Sequence, residues 1–273
     1  MIKNIFLAVL FFAVFALCGD KHYRGIVDFT FDVAKGNIPG HSSINKFGHN
    51  PAVATGGEDV WSGGGTYAFY PDTACGMELV SDSATDDSAG TGARSVQVFG
   101  LDSNWLEINE TVIADGDTVR PLANKYIRMY RAKVLTAGTG ETNAGNIAIR
   151  IVGASDTGAF IAAGDGQTQQ AIYTIPGGKT GYIVKWYVAM RNDDKNGQDA
   201  SFKWKARPNN GGAGAWQTKG DISLINIGSS WWKYPYGVPS GPLVEKTDIR
   251  IECYDASATV GATAGFDLVL VDD

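Results

Sequence analysis

Glu58 and Asp59 stand side by side in "GGEDVWSGGGTYAF", close to Trp61. Two carboxylates are the equipment of a glycosidase. That chemistry needs them to face each other across a sugar, whereas adjacent residues on an extended chain point apart. The pair therefore reads as structural, with Trp61 as an anchor and the glycines as a tight turn. Asp82, Asp86 and Asp87 gather in "SDSATDDSAG". Oxygen-rich loops hold calcium, but this one lacks the spacing and the bidentate Glu of an EF-hand. It reads as a solvated loop. His22, His41 and His49 share one N-terminal stretch, and the spacing of the last two fits no common zinc pattern. No nucleophile elbow, HExxH or P-loop occurs. "GDGQ" and "GTGE" are turns, since no helix follows to cradle a phosphate. These residues predict no catalytic group, no metal site and no cofactor.

Two kinds of residue point to binding instead. Trp231, Trp232, Tyr234 and Tyr236 cluster in "SSWWKYPYGVP". Rigid amphipathic aromatics suit a protein partner or a glycan; the competing reading packs two of them inward beneath a loop. Of the three cysteines, Cys18, Cys75 and Cys253, none forms a CxxC motif. Cys75 and Cys253 are either a disulfide in an oxidising compartment or two separate buried thiols.

The elements that would position these residues are strands. The chain has 273 residues, 44% hydrophobic and 19% charged, with 35 glycines and 9 prolines. That composition can bury a core. A net charge of −6 with scattered Lys and Arg disfavours nucleic acid as a partner. No segment keeps a helical period. "ASFKWKARP" alternates Phe202, Trp204 and Ala206 with Lys203, Lys205 and Arg207, a strand with one charged face. "RSVQVFGLDSNWLEINETVIADG" reads as a hairpin, and "GFDLVLVDD" as a strand with Phe266, Leu268 and Leu270 on one side. "QAIYTIPGGKTGYIVKWYVAM" also reads as a hairpin, turning at Gly177 and Gly178. Its second strand is apolar on both faces. Tyr182, Val184, Trp186 and Val188 are expected on one side, and Ile183, Lys185, Tyr187 and Ala189 on the other. Lys185 and Tyr187 are thus a candidate assembly face.

Strands joined by turns predict an all-β chain of two β-sandwich, jelly-roll-like domains behind an extended N-terminal arm. The expected divisions are a hydrophobic, signal-like leader over 1–19, the arm over 20–50, and sandwiches over 51–155 and 156–273. The apolar run in "MIKNIFLAVLFFAVFALCGD" is short for a membrane span and matches a signal-peptide core.

Several phrases together carry a resemblance. They are "FDVAKGNIPGHSSINKFGHNP", "EDVWSGGGTYAFYP", "GTGARSVQVFGLDSNWLEINETV", "YRAKVLTAGTGETNAGNI", "RPNNGGAGAWQTKGDISL" and "PLVEKTDIRIECYD". Over roughly residues 28–273 the chain resembles a family of virion structural proteins of tailed, notably marine, bacteriophages. The resemblance implies a non-enzymatic capsid-decorating or fibre-associated protein located in the virion. Its expected partners are other virion or capsid proteins and copies of itself in a homo-oligomer. The alternative expectation is a secreted bacterial surface module that binds carbohydrate through Trp231, Trp232 and Tyr236, which would account for the leader.

Overall fold

The computed structural model describes residues 29–191, 197–209, 214–226 and 229–273. The leader, with His22 and Cys18, lies outside them. The chain divides into two compact units, Met1–Pro39 and Gly40–Asp273. The described part of the first holds one short helix, α1 (Phe29–Ala34), where no helix was expected. Its end is held by Asn37, whose backbone N–H reaches the Asp32 carbonyl at 2.9 Å and whose side chain reaches the Asp32 carboxylate.

The second unit is all β, as alternation and turn chemistry predict. Its strands are β1 (His41–Val53), β2 (Glu58–Asp59), β3 (Cys75–Ser81), β4 (Ala93–Leu101), β5 (Glu107–Ile113), β6 (Arg120–Tyr126), β7 (Arg128–Ala137) and β8 (Ile147–Ile151). They continue as β9 (Thr157–Ile161), β10 (Ile172–Thr174), β11 (Lys179–Arg191), β12 (Gln198–Arg207), β13 (Gln217–Asn226), β14 (Ser229–Leu243), β15 (Asp248–Tyr254) and β16 (Val260–Asp272). Among the described residues these form four antiparallel sheets. Sheet 1 runs β1-β16-β11-β14; sheet 2 runs β10-β15-β12-β13, with β2 beside β15. Sheet 3 runs β6-β3-β8-β9, and sheet 4 runs β5-β4-β7.

Each pair of sheets closes over its own core. Trp186, Val188, Phe266 and Leu268 of sheet 1 meet Phe202, Trp204, Ile249 and Ile251 of sheet 2. Met77, Leu79, Ile147 and Ile149 of sheet 3 meet Val96, Val98, Met129 and Ala132 of sheet 4. Burial of these side chains supplies about 1.5–3 kcal/mol each, the main term holding each sandwich together. The first pair is the terminal sandwich, because it takes strands from both ends of the chain; the second is the central sandwich.

Three sequence expectations change. Residues 41–50 are not arm: β1 pairs with β16 from His41↔Val271 to Val53↔Val260. The terminal sandwich therefore begins before the central one and resumes after it, so a single cut between residues 155 and 156 does not separate them. The segment 170–190 is not a hairpin either. Tyr173 pairs with Ile249 in sheet 2, while Tyr187 pairs with Gly265 in sheet 1. The turn between them arches from one sheet to the other, with Gly178 at φ 70°. Thr247 and Lys246 hold the arch through backbone bonds to Ile175. Finally, β11 carries an irregularity between Ile183 and Lys185. The extra residue flips the alternation, so Ile183 joins Trp186 and Val188 in the core and Tyr182 does not.

Candidate functional site

The carboxylates that could have done chemistry are structural. Glu58 accepts the Gly65 N–H at 2.8 Å and the Asn50 amide at 2.7 Å. Asp59 is buried and accepts the Tyr67 N–H at 2.8 Å and Arg250 Nη1 at 3.0 Å. Together they pin the loop that follows β2. Burial outweighs the Arg250 charge and raises the Asp59 pKa to about 6. Asp86 departs from the expectation of a solvated loop, although Asp82, Ser88 and Ala89 around it are exposed. It is fully buried and accepts Ser81 Oγ at 2.6 Å and the N–H groups of Ala93, Ala144 and Gly145 at 2.7–2.9 Å. With four donors on its two oxygens, this carboxylate is an internal anchor that stands in for missing backbone acceptors. Asp82 does a similar job outside, accepting the Asn146 N–H at 2.7 Å. Among the described residues no group of three His, Cys, Asp or Glu is placed to hold a metal.

Cys75 and Cys253 are free thiols. Cys253 sits in the terminal core, where burial pushes its pKa up to about 12. Cys75 belongs to sheet 3 and packs against the central core.

The densest polar cluster lies on the outer face of sheet 2, at the junction of the sandwiches. The charged face expected for β12 is there: Lys203, Lys205 and Arg207 point away from Phe202 and Trp204. Lys205 pairs with Glu252 of β15. Asp248, fully buried, accepts Arg128 Nε at 2.7 Å and Nη2 at 3.1 Å, Arg207 Nη2 at 2.7 Å, Asn209 Nδ2 at 2.8 Å and Thr174 Oγ1 at 2.7 Å. Arg128 comes from β7 of the central sandwich and Asp248 from β15 of the terminal one. Charge-assisted, bidentate bonds of this kind are strong and directional. Aromatic rings fill the gaps. Arg207 lies over Tyr70 and Trp216, Arg250 over Trp216, and Arg128 over Trp105, at 4.4–4.8 Å. Sequence reading missed Arg128 and Asp248, because the two are 120 residues apart and neither stands in a motif. The one available signal was a charged residue on a strand that had no clean polar face.

The outer face of sheet 1 is different. The register stacks its residues into rows across the strands. Phe47, Gly265, Tyr187 and Lys233 form one; Asn45, Asp267, Lys185 and Pro235 form the next. Gly265 is required there. A Cβ on it would collide with Tyr187 Oη and the Lys46 carbonyl. The bare backbone lets the Tyr187 ring lie across the strand, the way aromatic side chains cover a glycine in other sheets. Asp267 accepts the Asn45 amide at 2.6 Å and forms an ion pair with Lys185. His49 and Thr263 form a hydrogen bond at 3.0 Å one row further on. Tyr187, Lys185, Phe47 and Tyr182 are all half-buried. The structure thus brings the two candidate assembly residues onto one face, in adjacent rows.

In the aromatic cluster of β14, the side chain described is that of Trp232. Trp232 packs on Trp186 of the terminal core, with ring centres 4.7 Å apart and planes at 68°. That ring is engaged with the core. The register places Trp231 opposite Ala189 and Tyr234 opposite Trp186. The side chains of Trp231, Tyr234 and Tyr236 lie outside the described ones.

No family model matches the chain. No curated protein matches it either. Among solved structures, it overlaps that of infectious bursal disease virus, Gt strain, at 11% identity and a TM-score of 0.25, over 90% of this chain and 78% of that one. A VP2 subviral particle of the same virus overlaps at 11% identity and a TM-score of 0.20, over 90% and 78%. These superpositions are loose, and the architecture described above rests on strand pairing and burial.

Proposed function

We propose that this chain is a non-enzymatic structural protein of a virion, of the capsid-decorating or fibre-associated kind, which works by assembly through the outer face of sheet 1. The observation that carries this reading is the contrast between an outer face filled internally and one left half-covered. Sheet 2 has its charges neutralised by the central sandwich and its own neighbours. Sheet 1 offers aromatic rings flanked by a polar row, the composition of a contact surface with a directional rim. The sequence phrases shared with phage virion proteins supply the kind of assembly.

Locking the two sandwiches through Asp248 favours the same reading. A rigid body loses little conformational freedom when it docks, so more of the contact energy appears as affinity. Copies of one chain around a particle would make symmetric contacts, each adding the same face. The test is to purify particles from the virus that encodes the chain and identify it by mass spectrometry. Its presence in stoichiometric amount is expected; its absence from particles overturns the assignment. The first peptide of the mature chain, read in the same experiment, decides whether residues 1–19 are removed.

A further inference from the structure

Where β1 meets the central sandwich there is an open cavity of about 180 Å³. Ile44 and Lys46 of β1, Phe99 of β4, Tyr130 and Arg131 of β7, and Tyr173 of β10 line it. Lys46 is 4% exposed, and its amine donates to the Tyr130 carbonyl. Among the described residues, no carboxylate pairs with Lys46 or Arg131. Glu107 is turned to the tyrosines, accepting Tyr130 Oη at 3.2 Å and Tyr173 Oη at 3.5 Å. A buried amine without a counter-charge is costly to keep protonated, and a second cation beside it adds repulsion. Burial first, and the Arg131 charge second, push the Lys46 pKa well below the usual lysine range. An anion entering the cavity would relieve both penalties. The walls it would meet are largely carbon: Ile44, Phe99 and the faces of two tyrosines that stand edge-to-face, 5.1 Å apart.

We propose that this cavity binds a small organic anion, its carboxylate held by Lys46 and Arg131 and its carbon body lying against Phe99, Tyr130 and Tyr173. Lys46 takes up a proton as the anion binds, so affinity falls as pH rises. Arg131 stays charged throughout. Burial keeps Tyr130 and Tyr173 neutral well above their ordinary range, and the other charges in the network are Glu107 and Lys133, whose amine lies over the Phe99 ring at 5.4 Å. The site does not depend on the assembly reading.

The experiment titrates the full chain with benzoate and, separately, with inorganic phosphate, at pH 6 and pH 9, by calorimetry and by shifts of aromatic and lysine resonances. Saturable benzoate binding is expected, tighter at pH 6 and at least about tenfold weaker in Lys46→Met and in Arg131→Gln, the factor that about 1.4 kcal/mol of lost interaction produces. No saturable benzoate binding at either pH overturns the proposal. So does unchanged binding in Arg131→Gln, which decides the matter should Lys46→Met fail to fold. Phosphate binding as tight as benzoate would overturn the role given to the carbon walls.

Discussion

The terminal sandwich has two outer faces, and the same alternation of apolar and charged residues built both. On sheet 2, at its junction with the central sandwich, the charges are consumed. Asp248 and Asp59 meet guanidinium groups from three strands, and Tyr70, Trp105 and Trp216 fill the space between them. On sheet 1 the charges only meet each other, Lys185 with Asp267, and the rings of Phe47 and Tyr187 lie half-covered on either side of Gly265. A polar face that is buried specifies how the molecule holds itself together. A polar face that is half-buried is left with something to offer another molecule.

The largest loss of stability is expected on sheet 2. Asp248→Ala removes the acceptor of two guanidinium groups, Arg128 and Arg207, and of the Asn209 amide and the Thr174 hydroxyl at the junction. Breaking a buried, hydrogen-bonded ion pair from one side costs about 3–5 kcal/mol. Urea denaturation should show that loss, or show two transitions as the sandwiches come apart. A change below about 1 kcal/mol would mean that the junction is not what couples them.

Gly265→Ala sharpens the claim about sheet 1. The new methyl group collides with Tyr187 and with the backbone of β1, so a loss of about 1–3 kcal/mol is expected from overpacking. Thermal melting of the purified chain would detect it. Pairing with Tyr187→Ala should restore part of the loss, because the ring that occupies the space is gone.

The effect of Asp59 is smaller and depends on pH. Its folded pKa of about 6 lies above the ordinary carboxylate value, so the folded state holds the proton more tightly than the unfolded chain. The stability this provides is full below about pH 4 and is lost as pH rises through about 6. Asp59→Asn removes that dependence. Urea midpoints at pH 4.5 and pH 7 should therefore differ less in the variant than in the parent chain. An equal or larger difference in the variant would show that Asp59 is ionised in the folded protein throughout.

Lys185→Glu should cost the fold least. Ion pairs at the surface, such as the half-buried one between Lys185 and Asp267, contribute about 0–1 kcal/mol. The reversed charge beside Asp267 nonetheless changes the character of the whole row. Incorporation into particles should fall sharply while the melting temperature stays within a few degrees. A variant that melts much lower, yet assembles normally, would place the function of this row inside the fold.

Much of the architecture was legible in residue order. Alternation in "ASFKWKARP" foretold both the core side of β12 and its charged face, and turn residues foretold an all-β chain. What was lost has a common physical origin: sheet partners lie far apart in sequence, and local pattern does not name them. β1 looked like an arm because Gly, Pro, His and Asn punctuate it, and only β16, more than 200 residues later, makes it a strand. "TIPGGK" looked like a hairpin because its turn residues fit one, whereas Thr174 is held by Asp248 within sheet 2 and the strand after the turn belongs to sheet 1. The irregularity in β11 reversed which side Ile183 and Tyr182 take. For the candidate site, Lys185 and Tyr187 could be picked out by a strand apolar on both faces. The loss of Trp232 to the core could not, since adjacent tryptophans give no sign of which one a distant sheet will cover.

The most direct test of the central claim is residue-level footprinting of the chain in intact particles and after release from them. Lysine labelling with an acylating reagent, read by mass spectrometry, compares Lys185 on the outer face of sheet 1 with Lys125 on exposed β6. Lys185 is expected to be protected in particles and labelled after release, while Lys125 reacts equally in both. Equal labelling of Lys185 in particles and in the free chain would contradict it.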